Sequence, residues 1–412
     1  MQEQPATAAP KQKTFAALAF PNYRLWFFGQ MTSLFGTWMQ STAQGYLVYE
    51  LTRSEAYLGY VGFASGIASA VFTLYGGLIA DRVSRRNLLI ITQTASMLLA
   101  FILSVLTFTR VVAPWHIIIL AFFLGIVNAF DAPARQAFVL EMVNRSVLIN
   151  AIALNSTMFN MAMVVGPAVG GLAYALFGPG WCFTINGLSF VAVIIALGAM
   201  KLARWAPPES KGNALADIKA GLAAVTKDRR VLAIICLLGA TNLFGMAFAT
   251  LMPAWAVQIL HGDASTNGFL QSARGIGALG AALAIATLAH RGFRGRAMTI
   301  ASFLFPLLIG LFAITRSLPL SLAVLVVVGA ANIIQNNLAN SLVQTLIPDH
   351  VRGRVMGIYM LSFSGFAPIG ALLAGAVAVA VGAPLTVALG ALGLFVCATI
   401  IAIAVPSIRR LN

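Results

Sequence analysis

Apolar residues in this chain form long unbroken runs, and short polar or charged stretches separate them. Twelve runs are read, with approximate limits 24–50, 56–80, 87–109, 114–138, 149–177, 182–200, 230–259, 266–289, 297–315, 319–345, 354–380 and 384–405. A helix needs about 20 apolar residues to cross a bilayer. Continuous runs predict helices, which satisfy their own backbone in lipid, whereas barrel strands would alternate. The predicted fold is all-α integral membrane: 12 transmembrane helices in two pseudo-symmetric six-helix halves, 24–200 and 230–405. Segments 1–23 and 406–412 flank the halves, and a charged linker, 201–229, joins them.

Composition agrees with this pattern. The 412 residues are 60% hydrophobic and 9% charged, with mean hydropathy +0.90, where soluble domains carry roughly 25% charged residues. A net charge of +15 would suit a nucleic-acid binder, but its distribution argues against one. With the N-terminus placed in the cytoplasm, 22 of the 26 Lys and Arg fall on the cytoplasmic side, including Lys11, Lys13 and Arg24. Arg53, Arg110 and Arg316 fall outside, and Arg274 falls within a span. That bias sets topology, with both termini cytoplasmic, and it implies a bilayer and no nucleic acid as partner. Cys182, Cys236 and Cys397 sit in apolar spans and suggest neither disulfides nor a metal site. Residues 1–23 lack a cleavable apolar segment, so the first helix is expected to serve as its own insertion signal.

The two halves repeat each other. GGLIADRVSRR, Gly76 to Arg86, has a weaker echo in ATLAHRGFRGR, Ala286 to Arg296. One offset aligns Gly59 with Gly268, Gly66 with Gly275 and Asp81 with His290. A second alignment matches Asp131–Gly170 to Asn336–Gly370 and brings Pro167 onto Pro368. Parallel six-helix halves with a site between them near the midplane are typical of secondary transporters. In the linker, Pro207 and Pro208 break any continuing helix, and Ala214 to Thr226 reads either as an amphipathic surface helix or as a solvated tether.

Three motifs carry chemistry. In the first, Gly76 and Gly77 allow close helix approach, and Asp81 can accept bonds from Arg82, Arg85, Arg86 or a facing helix N-terminus. In the second, Asp131 and Arg135 are four residues apart, with Pro133 between them and Glu141 beyond. Asp131 lies about 24 Å along the helix from Trp115, near the cytoplasmic edge. The third is GPAVGG: Gly166, Pro167, Gly170 and Gly171 give a proline-kinked helix with a smooth face.

GGLIADRVSRR resembles the loop signature of the major facilitator superfamily, at Gly77, Asp81, Arg82, Arg85 and Arg86. NYRLWFFGQ (Asn22 to Gln30), DAPARQAFVLEMV (Asp131 to Val143) and GPAVGG resemble its enterobactin-exporter-like branch, which includes macrolide-efflux permeases. The resemblance implies the major facilitator fold and a cytoplasmic gate at Asp81, Arg82, Arg85 and Arg86, with Asp131 and Arg135. It also implies a relay joining Asp81, Arg135 and Glu141. GPAVGG is similar to the antiporter signature and implies export. Two positions depart from the pattern: Ala162 stands for a usual Gly, and Ala121 stands for the Arg that drug antiporters carry four residues before Gly125. Asp131, Glu141 and Glu50 are the candidates for proton coupling.

The first, fourth, seventh and tenth spans line the cavity in this fold. Ser33, Thr37, Gln40 and Gln44 form one polar stripe, and Asn332, Asn336, Asn340 and Gln344 form another, with Gln335, Asn337 and Ser341 beside it. Unpaired amides in hydrocarbon are costly, so such stripes face water, cargo or another helix. Asn128, Thr241 and Asn242 join this lining, and Trp38, Phe244 and Trp255 are candidate aromatic walls. Arg274 is expected to face an interior cavity or to snorkel outward. The nearly neutral lining suits a siderophore, macrolide or similar amphiphile.

The reading is a monomeric exporter in a bacterial inner membrane, without cofactor and driven by the proton gradient. It is not an enzyme: no nucleophile–base pair is apparent, and His116, His261, His290 and His350 are scattered. No nucleotide motif supplies ATP as the drive. The rivals are an uptake symporter and a non-transporting membrane sensor or scaffold.

Overall fold

The computed structural model describes residues 15–202, 214–288 and 294–411. Lys11, Lys13, Pro207, Pro208, His290 and Arg291 lie outside the described residues. In the N-terminal half the spans are α1 (Pro21–Thr52), α2 (Glu55–Arg82), α3 (Arg85–Phe108), α4 (Pro114–Met142), α5 (Leu148–Phe177) and α6 (Pro179–Ala199). A linker helix, α7 (Ala214–Lys227), follows. The second half comprises α8 (Arg229–Ile259), α9 (Ala264–Leu288), α10 (Arg294–Ile314), α11 (Leu318–Leu346), α12 (Asp349–Val381) and α13 (Ala383–Ala404).

Eleven of these helices are long and apolar enough to cross a membrane. The twelfth span, α1, is long enough at 32 residues but too polar to be counted among them. Gln30, Ser33, Gln40 and Gln44 lower its hydropathy, and all four are buried. Twelve alternating spans return the chain to the face where α1 begins. We call this the terminal face and its opposite the far face. The far-face turns α5–α6 and α12–α13 are equivalent in the two halves. Each turns on a glycine with positive φ, Gly178 at 84° and Gly382 at 82°, a conformation that only glycine adopts without strain.

The α8 span is not one regular helix. π-helical turns at Thr241–Gly245 and Trp255–Ile259 interrupt it, and such turns recur at functional sites.

The halves join through two equivalent seams built on small residues. On α2, Gly59 and Gly62 face Ala371 of α12, and Gly66 faces Pro368. On α5, Pro167 and Gly171 meet Gly268 of α9, and Gly275 meets Met163. The glycines aligned between halves by sequence thus occupy corresponding places in the two seams. With no hydrophobic force between helices in lipid, close backbone approach is the main source of such packing.

The seams close only on the far side. Gly77 lies five helical turns from Gly59 on the same α2 face, yet a side chain there would meet nothing within 4 Å. Gly357 on α12, three turns from Pro368, also faces open space. The buried core divides accordingly. One apolar cluster on the far side draws on both halves, including Met39, Tyr46, Leu251, Trp255 and Leu270. Towards the terminal face the clusters are separate, one around Trp26 and Phe138 and another around Ile234 and Val355. The molecule is open at the terminal face and sealed at the far face.

Candidate functional site: a polar interior and its two gates

The interior-facing side of α1 follows from what covers its other sides. Gly29 and Gly36 pack on α6, and Trp38 and Met39 pack on Gly166 and Gly170 of α5. The remaining face carries Gln30, Ser33, Thr37, Ser41 and Gln44, of which Thr37 and Ser41 are exposed. Thr37 donates to the Ser33 carbonyl at 2.9 Å. Gln40 sits at the edge of this stripe and accepts from Asn186 Nδ2 of α6 at 2.7 Å, so it ties two helices of one half together. Asn128 of α4 is exposed on the side opposite the exposed Ile119.

Side-chain amides run as a ladder along α11. Asn336 Nδ2 donates to Asn332 Oδ1 at 3.2 Å, and Gln344 Nε2 donates to Asn340 Oδ1 at 2.5 Å. Asn332, Asn336 and Asn340 are half-buried. Buried Gln335 donates to Thr241 Oγ1 at 2.8 Å, and Asn242 donates to the Leu238 carbonyl at 2.9 Å. The first of these bonds pins the π turn of α8 to α11, and the second lies within α8. Asn337 is exposed, and Ser341 accepts from Arg294 at 3.3 Å.

Two of the expected aromatic walls are core residues instead. Trp255 is fully buried and stacks on Phe312 at 4.4 Å. Phe244 packs against Gly390 and Gly393 of α13. Both fill the second half because the π turns swing them away from the interior. Trp38 is half-buried, with its ring edge-on to Phe159 at 5.9 Å.

At the terminal face two ion-pair clusters form. Arg85 reaches Glu141 at 2.7 Å and Asp81 at 4.0 Å. Arg86 donates to the Gly198 carbonyl at the end of α6, at 2.7 Å. Arg82 is exposed. Deeper in, Asp131 is 4% exposed and pairs with Arg135 at 3.0 Å. Its Oδ1 also accepts from Thr92 at 2.9 Å and Gln93 at 2.8 Å, both on α3. The bridge between Asp81 and Glu141 is therefore Arg85, not Arg135. Arg135 sits one turn from Asp131 on the same helix and is engaged there.

At the far face, Glu50 accepts from the Tyr174 hydroxyl. A second far-face acid was missed in the sequence. Glu55, buried at the start of α2, accepts from Gln258 Nε2 at 2.6 Å, a bond between the halves. A further polar line was also missed: Asn267, Gln271 and Arg274 share one face of α9 at i, i+4 and i+7, a spacing that was legible. Gln271 donates to Asn267 at 3.3 Å, and Asn267 Nδ2 lies 3.5 Å from the Thr42 carbonyl of α1.

GPAVGG presents two surfaces. Gly166 and Gly170 face α1, whereas Pro167 and Gly171 face α9 of the other half. The motif is thus both a packing face within one half and one of the two inter-half seams.

Two six-helix halves around a polar, nearly neutral interior, sealed on one side, define a two-domain membrane transporter. Comparison with known proteins agrees. The family model for transmembrane secretion effectors matches residues 12–411, and the chain belongs to that family, within the major facilitator superfamily. It is a transporter and not an enzyme. Relatives include the staphyloferrin A transporter of Staphylococcus aureus, 25% identical over 84% of this chain and 87% of the relative. The multidrug efflux pump Tap of Mycolicibacterium fortuitum is 27% identical over 93% of this chain and 96% of the pump. The enterobactin exporter EntS of Escherichia coli is 24% identical over 95% and 93%. Among solved structures, the nucleoside transporter NupG (D323A mutant) superposes with a TM-score of 0.72 at 16% identity, covering 93% of this chain and 99% of that one. A bacterial homologue of the human lysosomal transporter Spinster, inward-facing and unoccupied, gives 0.71 at 12% identity, covering 98% and 99%.

Proposed function

We propose that this chain exports a small organic molecule, a siderophore or drug-like amphiphile, across a bacterial inner membrane by proton antiport and alternating access. The observation that carries this reading is the confinement of inter-half contact to the far side. Lys and Arg crowd the terminal face, which the positive-inside rule makes cytoplasmic. In that orientation the interior faces the cytoplasm and would load cargo from it. The relatives' names support export, and the neutral amide lining supports a sizeable hydrogen-bonding cargo. The protein acts as a monomer in the bilayer, without cofactor or nucleic acid, and the proton gradient is its drive.

In the alternate state the terminal face closes. Gly77 and Gly357 then take the role that Gly66 and Pro368 have in the present state, and Asp81 meets the opposite half. Asp131 and Glu141 would take protons near the cytoplasmic gate, and Glu50 would do so near the outer one.

The test uses everted vesicles loaded with a pH-gradient dye and a panel of catecholate and hydroxamate siderophores, macrolides and cationic dyes. The expected result is dequenching by one class, and no response to any of them counts against proton-coupled export. Asp81→Asn is expected to reduce transport at least about tenfold while leaving the melting temperature unchanged, since exposed pairs contribute only ~0–1 kcal/mol. Full transport in that variant would remove Asp81 from the gate.

A further inference from the structure

Arg274 lies about 15 Å along α9 from its far-face end, near the middle of the span. Phe269, Ile276 and Leu283 form the exposed side of α9, and Arg274 lies on the opposite side, below Asn267 and Gln271. Its carbonyl is pressed against Gly329 of α11, where a side chain on that glycine would come within 2.0 Å of the oxygen. One turn further along α11 begins the amide ladder, Asn332 to Gln344, about 18 Å long. Arg274 therefore stands in the interior at the closed end of that ladder.

No carboxylate of the chain answers this charge among the described side chains. Glu50 is engaged by Tyr174, Glu55 by Gln258, Asp81 and Glu141 by Arg85, and Asp131 by Arg135. Asp349 pairs with Arg352, and Asp228 with Arg230, which holds that carboxyl below the usual range. Asp263 caps α9, and the Ser265 hydroxyl, followed by backbone N–H groups, keeps its carboxyl low as well. The Arg274 side chain has no hydrogen bond or ion pair among the described residues. A guanidinium near the membrane centre costs at least about 2.5 kcal/mol, and within proteins buried charges are paired. No described side chain supplies the counter-charge.

We propose that the cargo is an organic anion whose acidic group seats on Arg274 while its amide or hydroxyl-bearing body lies along the α11 ladder. This deepens the export reading by naming the charge class of the cargo, and it rests on that reading. A planar guanidinium fork suits a carboxylate through two parallel bonds.

The experiment measures thermal stabilisation of the purified full-length protein in detergent. The probes are N-dansyl amino acids, each tested as the free acid and as its primary amide. The acids are expected to stabilise the protein and the amides far less. Arg274→Gln removes an interior charge and so does not burden insertion. It is expected to lower apparent affinity for the acids by about 10- to 100-fold, the range for a charged hydrogen bond, and to leave the amides unaffected. Arg274→Lys restores part of the loss. Equal stabilisation by acids and amides, stabilisation by neither, or full acid binding in Arg274→Gln overturns the proposal. Acid binding that depends on Arg274, with no movement of the same acids in everted vesicles, would leave the anion site standing and remove the export reading instead.

Discussion

Gly171→Leu is expected to unseal the far face and stop turnover. A Cβ at Gly171 would lie 2.4 Å from the Ala264 carbonyl oxygen and 3.0 Å from Gly268 Cα. Both are backbone atoms, so no side-chain rotation relieves the clash and α5 must separate from α9. Overpacking of this kind costs about 1–3 kcal/mol. Applied to one of two states, that amount shifts the equilibrium by about 5- to 150-fold. The readout is labelling of a cysteine placed at Asn267, which is fully buried in the present state. Its labelling rate is expected to rise within that range and vesicle transport to fall correspondingly. Gly77→Leu is the matched control. The open space at Gly77 accepts the side chain in this state, so Asn267Cys stays protected, and the variant is hindered only when the terminal face closes. A protected cysteine in Gly171→Leu would mean that the α5–α9 seam is not the far-side gate.

The second large effect is at Asp131. Asp131→Asn leaves Arg135 without its carboxylate and weakens the bonds from Thr92 and Gln93 that tie α4 to α3. Breaking a buried pair by removing one partner costs about 3–5 kcal/mol. Arg135 keeps 30% exposure of its side chain, and water then screens part of the loss, so the lower end of that range or less is expected. The measurement is the melting temperature of the purified protein, with Arg135→Gln and the double variant completing a cycle. The double variant is expected to be clearly more stable than the sum of the two single losses predicts, because it leaves no uncompensated charge. Additive losses would show that Asp131 and Arg135 are not energetically coupled. The contrast with Asp81→Asn, which should lose transport and keep its stability, separates a buried, paired carboxylate from an exposed one at the gate.

Much of the fold was legible because lipid simplifies the physics. Backbone groups in hydrocarbon must be satisfied within each helix, so an unbroken apolar run of sufficient length has one outcome. The internal repeat was legible for a related reason. Gly59, Gly66, Gly268 and Gly275 are positions where helices of opposite halves approach closely, and only small residues allow that approach. The candidate site was legible in part. Period-four polar positions on α1 and α11 revealed which residues avoid lipid, but periodicity cannot say what they turn towards instead. Gln40 bonds Asn186 within its own half, whereas along α11 Asn336 donates to Asn332 and Asn340 accepts from Gln344. Trp255 and Phe244 were misplaced because π turns change the face that residues after Thr241 present, and an ideal helical wheel carries no such break. Glu55 was passed over because its partner, Gln258, is 203 positions away.

The sequence by itself determined the twelve spans, the two halves, the face crowded with positive charge and the small-residue positions at which helices pack. These follow from local periodicity and from the cost of bare polar groups in hydrocarbon. The tertiary structure alone decided which partner each buried polar residue takes, that Arg85 rather than Arg135 bridges Asp81 and Glu141, and that Arg274 has no carboxylate partner among the described residues. It also decided which face is sealed. Those outcomes depend on contacts between residues far apart in the chain, which no local pattern specifies.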